Sequence, residues 1–365
     1  MRIKGILFFI ILIFAVIGAK YLFPDFFNTQ INKGKGIYYV WQGDKALELR
    51  KWQKAIDLYN QGLELYPQHY SAWHNLGSIY VLYEDYDLAL DAYSKAIEHN
   101  PKFIVARMNY GIVSAEKMGD FDGAISQYNE IIKTKRKLLN IPWVFNNKKS
   151  TKHNKGYAYY NKGLAFKQKS LYADRDDYLL RQRYLKEALE AYQEAVKILK
   201  RSYAARYNLA LTHHLLGNTR DAGLNYCKAI ELSPMSYEAH YNLAILLNNL
   251  KHYKEAREEL EKAASLISSN DEYVNSQSYI FNILANVALT VYEYDNENPL
   301  IDKMDKNQNP ETMKITYING KMVYTEELDK AILKNFSTCK AFKVFKNELE
   351  DEEFEKEHRN RVSVP

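Results

Sequence analysis

Five asparagines stand at matching places along the sequence. Asn75 and Asn109 are 34 residues apart, as are Asn208 and Asn242, and Asn161 lies between these two pairs. A carboxamide offers one acceptor and two donors, so a row of amides can pair with the backbone of an extended peptide whatever its sequence. Alternatively, each amide bonds to a neighbouring part of its own chain. The sequence leaves both interpretations open.

The residue before each asparagine is large in every case. These residues are His74, Met108, Tyr160, Tyr207 and Tyr241. Tyrosine is broad, rigid and able to donate a hydrogen bond, which makes it efficient in recognition surfaces. The chain contains 31 tyrosines, so many others must fill the core. We therefore expect a surface of rings and amides that binds a protein or peptide partner.

A basic stretch lies between residues 133 and 155 and contains no acid. Its members are Lys133, Lys135, Arg136, Lys137, Lys148, Lys149, Lys152 and Lys155. Near a membrane each such charge adds up to about 1 kcal/mol of attraction to anionic lipid. An acidic partner and a merely solvated loop are the alternatives. Seven acids between Glu348 and Glu357 are interpreted as a solvated tail, or else as a partner for this loop.

Signals for catalysis or for a cofactor are absent from the sequence. It has no zinc-protease, serine-hydrolase, phosphate-loop or dinucleotide motif. His213 and His214 are adjacent and therefore point apart, which disfavours a shared metal ion. We expect no catalytic residue, no metal and no cofactor. The alternative is an enzyme, or a protein that recruits a substrate, with an unrecognised active site in the C-terminal region.

The two cysteines, Cys227 and Cys339, are far apart and form no CxxC pair. They are too few for a disulfide framework, although one disulfide in an oxidising compartment remains open. A reactive thiol at Cys339 is the weaker alternative. The composition is 47% apolar and 26% charged, which excludes a wholly disordered chain. The net charge of +5 is too diffuse to predict a nucleic-acid partner.

The first 24 residues predict a membrane anchor. Arg2 and Lys4 precede a mostly apolar stretch, interrupted by Lys20, of 19 residues from Gly5 to Phe23, roughly 28 Å long as a helix. Basic residues at the start favour a cytoplasmic N-terminus and an exported chain. We predict a single-pass protein that most naturally faces the periplasm from a bacterial inner membrane. A signal peptide cleaved after Ala19 is the alternative. Residues 25–35 are interpreted as a flexible linker.

A period of 34 residues organises the rest of the chain. Gly43, Gly77 and Gly111 keep this interval, as do Pro67 and Pro101. Each unit is predicted to form two amphipathic helices. Small residues at Gly77 and Ala89 let the two helices approach closely, and Trp73, Tyr80 and Tyr93 fill the space around that contact.

The residues of one unit resemble the tetratricopeptide repeat family closely. Trp73, Leu76, Gly77, Tyr80, Ala89, Tyr93, Ala96 and Pro101 follow that family's pattern. The resemblance implies an all-α fold, a right-handed superhelix or α-solenoid, whose groove binds proteins or peptides. We count six units, at 36–69, 70–103, 104–137, 156–200, 203–236 and 237–270, with insertions at 133–155 and 172–184.

The C-terminal part departs from the repeats. Residues 271–294 are predicted to form a capping helix, and 295–314 a linker. Asn319 and Gly320 lie between alternating apolar residues, which predicts a two-residue hairpin within a small extension at 315–365 that also holds a helix and the acidic tail. Together these features predict a membrane-anchored scaffold that helps to assemble a cell-envelope complex or belongs to one.

Overall fold

A computed structural model of the chain describes residues 22–134, 147–174 and 176–266, the strand residues 316–318 and 321–323, and residues 339 and 341–345. The chain divides into two compact units, Met1–Phe145 and Asn146–Pro365.

In its described residues, unit 1 contains three helix pairs. Its helices are α1 (Pro24–Glu48), α2 (Trp52–Leu65), α3 (Tyr70–Leu82), α4 (Tyr86–His99), α5 (Ile104–Glu116) and α6 (Phe121–Lys133). The helices pack two by two in chain order, and the second helix of each pair also contacts the first helix of the next. Short turns join the members of a pair. Because one pair cannot bury its apolar faces alone, neighbouring pairs bury these faces against each other.

Unit 2 repeats this arrangement. Its helices are α7 (Asn147–Tyr172), α8 (Tyr178–Ile198), α9 (Tyr203–Leu215), α10 (Thr219–Leu232), α11 (Tyr237–Asn249) and α12 (Tyr253–Leu266). They also form successive pairs, each packed against the next. The prediction of an all-helical repeat fold is therefore confirmed within each unit.

A tyrosine packed on a glycine sets the distance between the helices of four pairs. A Cβ atom added to Gly43, Gly77, Gly111 or Gly163 would lie 2.8, 2.6, 2.6 or 2.7 Å from a tyrosine ring of the following helix. The rings are those of Tyr59, Tyr93, Tyr128 and Tyr192, and all four are fully buried. The helices thus approach until backbone and ring are in contact, as predicted for Gly77.

The turns inside five of the pairs share one backbone feature. One residue in each turn has a left-handed φ: Arg50 at 56°, Glu84 at 62°, Gly119 at 69°, Gly217 at 77° and Lys251 at 64°. Such a residue commonly ends a helix. The third repeat has one residue more between Gly111 and Ala124 than the second has between Gly77 and Ala89, and the turn that contains Gly119 lies within this stretch.

The structure corrects the predicted linker at 25–35. Helix α1 begins at Pro24 and includes these residues; proline suits the first helical position because its missing N–H is not needed there. A Cβ at Gly36 would lie 2.7 Å from the Tyr66 Cβ and 2.8 Å from the Gly62 carbonyl oxygen. This glycine therefore allows α1 and α2 to approach closely and does not provide flexibility.

Both predicted insertions contain helix. Helices α7 and α8 have 26 and 21 residues, against 13 in α3 or α9, so the insertion at 172–184 lengthens both members of one pair. The insertion at 133–155 was interpreted as a loop, but α7 already begins at Asn147. The spacing at 172–184 predicts either two longer helices or a projection, and the structure has the longer helices.

The predicted anchor at 1–24 lies outside the described residues, except for its last three. Over the described ranges, no helix combines the length and the apolar character that a bilayer-spanning helix needs. The predicted capping helix at 271–294, the linker at 295–314 and the acidic tail also lie outside them.

Two pieces of the C-terminal extension are described. Strands β1 (Thr316–Ile318) and β2 (Lys321–Val323) pair antiparallel, with Ile318 opposite Lys321 on either side of the predicted two-residue turn. Further on, Cys339 forms a disulfide with Cys227. The interpretation of Cys339 as a reactive thiol was therefore wrong.

We predict that Gly77→Val destabilises unit 1 by about 1–3 kcal/mol, because the new side chain overpacks the contact with Tyr93. Gly34→Val is the matched control, since Gly34 has no atom within 4 Å of its added Cβ. Thermal unfolding followed by circular dichroism compares the two variants. Equal melting temperatures would contradict the proposed contact.

Candidate functional site

In unit 1 the predicted asparagines bond to the preceding helix pair. The Asn75 amide nitrogen donates to the Asp44 carboxylate at 3.1 Å and to the Tyr59 hydroxyl at 3.1 Å. The Asn109 amide nitrogen lies 3.1 Å from the Nε2 atom of His74. Both donor hydrogens of Asn75 are thus used within the chain.

In unit 2 Asn208 has a partner for each of its polar atoms. Its amide nitrogen donates to the Ala204 carbonyl at 2.9 Å and to the Tyr160 hydroxyl at 3.5 Å. Its oxygen accepts a hydrogen bond from the Lys167 ammonium at 2.7 Å. The side chain is only 7% exposed, and these bonds join α7 to α9.

The last amide of the row, Asn242, donates to the Tyr207 hydroxyl at 2.9 Å and to the Glu238 carbonyl at 2.8 Å. Asn161 is half-buried on α7. The hydrogen bonds of four of these five amides therefore include links between successive helix pairs, as the second interpretation of the row requires. Contact of the amides with a bound peptide stays a prediction.

The aromatic residues beside the amides are partly accessible. Tyr160, Tyr207 and Tyr241 are half-buried, as are His74 and Met108. Burial, with the charge of Glu238 nearby, raises the pKa of Tyr207 to about 12. Its hydroxyl is therefore neutral near pH 7, and while it accepts from Asn242 it keeps its own hydrogen to donate.

Lys167 lies beside the row of asparagines, where it bonds to Asn208, and the sequence analysis missed it. Burial lowers the pKa of its ammonium, and within the described part of the chain it bonds to an amide oxygen and to no carboxylate. The repeat register places Val81, Ala115 and His214 at the corresponding positions. A lone charge among uncharged residues was the signal that could have found it.

The two units differ in the charge that borders this row. In unit 1 Asp44 accepts hydrogen bonds from Tyr59 at 2.7 Å and from Asn75. In unit 2 the corresponding network contains Lys167. The carboxylate in unit 1 suits a positively charged ligand group, and the ammonium in unit 2 suits a negatively charged one.

A second polar contact recurs at the start of the first helices. The side chains of Trp73 and Arg107 donate to the carbonyls of Pro67 and Pro101, at 2.7 and 2.9 Å. His240 makes the same kind of contact with Pro234 at 2.9 Å. These bonds tie each first helix to the end of the preceding pair.

His240 also belongs to a buried charged cluster between α11 and α12. Its Nδ1 lies 2.6 Å from one oxygen of Glu259, and the Lys262 ammonium lies 2.8 Å from the other. Burial alone would raise the pKa of the Glu259 carboxyl, but the hydrogen bonds and charges of His240 and Lys262 outweigh it and lower that pKa. Glu259 is thus held ionised in the core.

The predicted basic loop is not one loop. Lys133 ends α6, where its ammonium lies 3.0 Å from an exposed Glu130 carboxylate. Four of its other members lie on the first turns of α7: Lys148, Lys149, Lys152 and Lys155. Lys135, Arg136 and Lys137 lie outside the described residues. Binding of lipid or of an acidic partner by these residues stays a prediction.

The two adjacent histidines take part in packing. His213 is buried, with its Nδ1 3.3 Å from the Asn218 amide nitrogen, and the Nδ1 of His214 lies 3.3 Å from the Tyr226 hydroxyl. In the described portion of the chain, no group of three or more His, Cys, Asp or Glu side chains is arranged to hold a metal ion.

We predict that Glu259→Gln lowers the stability of unit 2 by about 3 kcal/mol at pH 7, because it removes one member of a buried charged cluster. The native pKa of Glu259 lies below its usual value of 4.5. The stability it contributes is therefore complete above that value and is lost as the pH falls through the native pKa. Thermal melts at pH 7 and pH 3 should show a smaller difference at pH 3.

Glu261→Gln is the control for this experiment, because Glu261 pairs with Arg257 on the exposed side of the same helix. Exposed pairs contribute at most about 1 kcal/mol. A difference between Glu259→Gln and the wild type that did not change with pH would contradict the assignment.

Comparisons with known proteins agree with this architecture. Family models described as "Tetratricopeptide repeat" match residues 70–103, 203–234 and 237–270. Superkiller complex protein 3 of Homo sapiens is 29% identical over 101 residues, a match that covers 28% of this chain and 6% of that protein. The match thus spans only a small part of that relative's length.

Two solved structures are also similar. A tetratricopeptide repeat protein from Parabacteroides merdae is 16% identical, with 84% of this chain and 100% of that chain covered and a TM-score of 0.48. For pilF of Pseudomonas aeruginosa the identity is 14%, the coverage 68% and 99%, and the TM-score 0.48. The matched ranges, each of which contains one of the helix pairs described above, show that this chain contains tetratricopeptide repeats.

Proposed function

We propose that this chain is a membrane-anchored scaffold that holds a polypeptide partner against the first helices of its helix pairs. One observation carries the proposal: amides between successive pairs brace the tyrosines of the row, as Asn242 braces Tyr207 and Asn208 contacts Tyr160. Tetratricopeptide repeats provide scaffolds for binding proteins or peptides, and this row is the surface on which we place the partner.

The bracing favours binding for a thermodynamic reason. A side chain that is already held in place loses little conformational entropy when a partner contacts it. The asparagines thus serve mainly to position the tyrosine rings, and the rings contact the partner. This changes the role that the sequence alone suggested for them.

The chemistry of the row in unit 2 indicates what the partner offers. Tyr207 has a hydroxyl hydrogen to donate, and Lys167 has an ammonium whose partner is an amide oxygen. Both groups pair with oxygen acceptors, and the lysine pairs best with a carboxylate. We infer that the partner segment has free backbone carbonyls and at least one acidic group.

The start of the described chain supports the membrane anchor. Leu22, Phe23 and Phe26 are 75%, 64% and 65% exposed; the first two end the apolar stretch that begins at Gly5, and the third follows it. Exposed apolar side chains beside an apolar segment mark a surface that contacts a membrane or another protein. We propose that residues 1–24 span the membrane with the N-terminus in the cytoplasm.

The disulfide between Cys227 and Cys339 supports export of the repeats. Disulfides persist in oxidising compartments and are rare in the cytosol. We place the repeats outside the cytoplasm, in the periplasm of a bacterial cell, where the anchor keeps the binding surface near proteins of the envelope. The scaffold would there help to assemble a membrane complex or remain as its subunit.

We predict that Lys167→Met reduces the partners that co-purify with the full chain from solubilised native membranes by roughly tenfold, the loss expected for one hydrogen bond to a charged group. Quantitative mass spectrometry measures the partners. Lys186→Met is the control, because Lys186 is exposed on α8. If the Lys167 variant kept both its melting temperature and its partners, the binding surface would be misplaced.

We also predict that a reporter enzyme fused after Pro365, of a kind active only outside the cytoplasm, is active in cells. Removing residues 2–23 should abolish that activity, because the apolar segment directs export. A second fusion, to a reporter active only in the cytoplasm, should give the opposite pattern. Activity of the cytoplasmic reporter on the full chain would overturn the proposed orientation.

A further inference from the structure

A short C-terminal segment packs against the fifth helix pair. The disulfide joins Cys227 of α10 to Cys339, 112 residues further along the chain. Ala341 and Phe345 belong to the same buried cluster as Tyr226 and Ile230, and both are almost fully buried, at 1% and 0% exposure. The segment therefore contributes side chains to the core of unit 2.

Phe345 lies directly on the backbone of α10. A Cβ atom added to Gly223 would collide with the phenylalanine ring. Gly223 and Cys227 are four residues apart and thus share one face of the helix, which we call the docking face. Gly223 leaves room for the Phe345 ring, and Cys227 is covalently bonded to Cys339.

The docking face departs from the pattern of the four preceding repeats at both positions. Where α10 has Gly223, the second helices of the four preceding pairs have aliphatic residues: Ile56, Leu90, Ile125 and Leu189. Where α10 has Cys227, they have polar residues: Asn60, Ser94, Asn129 and Gln193. Glycine inside a helix costs about 1 kcal/mol relative to alanine, so its presence needs a reason.

The segment supplies that reason for both positions. Phe345 fills the space that an aliphatic side chain occupies in the four preceding pairs, and Cys339 covers the position where those pairs have a polar residue. Two departures at neighbouring positions of one face thus have a single explanation. This agreement between sequence and packing indicates a dedicated contact.

We propose that the docking face is a binding site for a segment of the chain itself, represented by residues 339 and 341–345, and that the Cys227–Cys339 disulfide locks this segment in place. A dithiol reductant would open the lock by exchange: its two thiols give up two electrons and two protons and become a disulfide, while Cys227 and Cys339 become thiols. The open state exposes Phe345 and the docking face. The inference depends neither on the partner of the scaffold nor on its membrane anchor.

The test titrates the full chain in dithiol redox buffers and measures the fraction of linked Cys227–Cys339 peptide by mass spectrometry. Phe345→Ala should shift the equilibrium toward the reduced form by at least roughly tenfold, because the oxidised state alone holds this ring buried. Phe342→Ala is the matched control, since Phe342 lies in the same turn and is 37% exposed. It should leave the equilibrium unchanged.

A second variant separates docking from folding. Gly223→Leu restores the side chain that α8 has at the corresponding position, so the repeats should stay folded by circular dichroism while the disulfide fails to close. Hydrogen exchange at residues 341–345 should rise on reduction of the wild type. The proposal is overturned if Phe345→Ala and Phe342→Ala behave alike, if Gly223→Leu still closes the disulfide, or if reduction leaves exchange unchanged.

Discussion

The contact between a tyrosine ring and a glycine backbone determines how the helices of this protein pair. In four pairs the first helix carries a glycine where any side chain would collide with the ring of the second helix. A large, rigid ring buried against bare backbone gives a short and well-defined distance between the helices. In these four pairs the placement of the other side chains on the first helix, including Tyr160 and Lys167 on α7, depends on that distance.

Polar side chains then determine how one pair joins the next. Buried donors and acceptors must be satisfied, and Asn75, Asn208 and Asn242 meet this requirement by bonding across to the preceding pair. The same bonds hold the tyrosines that border the surface. Stability and recognition are therefore linked in this fold, because a residue that joins two pairs also orients a residue available to a partner.

The helix pairs and the role of Gly77 could be predicted because both follow from local spacing, three or four residues along a helix and 34 along the chain. The partners of the amides could not, since Asn208 reaches a tyrosine 48 residues away. The linker predicted at 25–35 is helix, because the sequence does not distinguish glycines that give flexibility from one that allows close approach, such as Gly36. The pairing of Phe345 with Gly223 depends on a contact between distant parts of the chain, which periodicity does not reveal.

Hydrogen exchange of the full chain, with and without its co-purified partner, tests most directly where the partner binds. We expect that protection on binding concentrates in α7, α9 and α11, the first helices of unit 2, and that α8 and α10 change little. Protection confined to α8 and α10, or to residues outside the repeats, would contradict it.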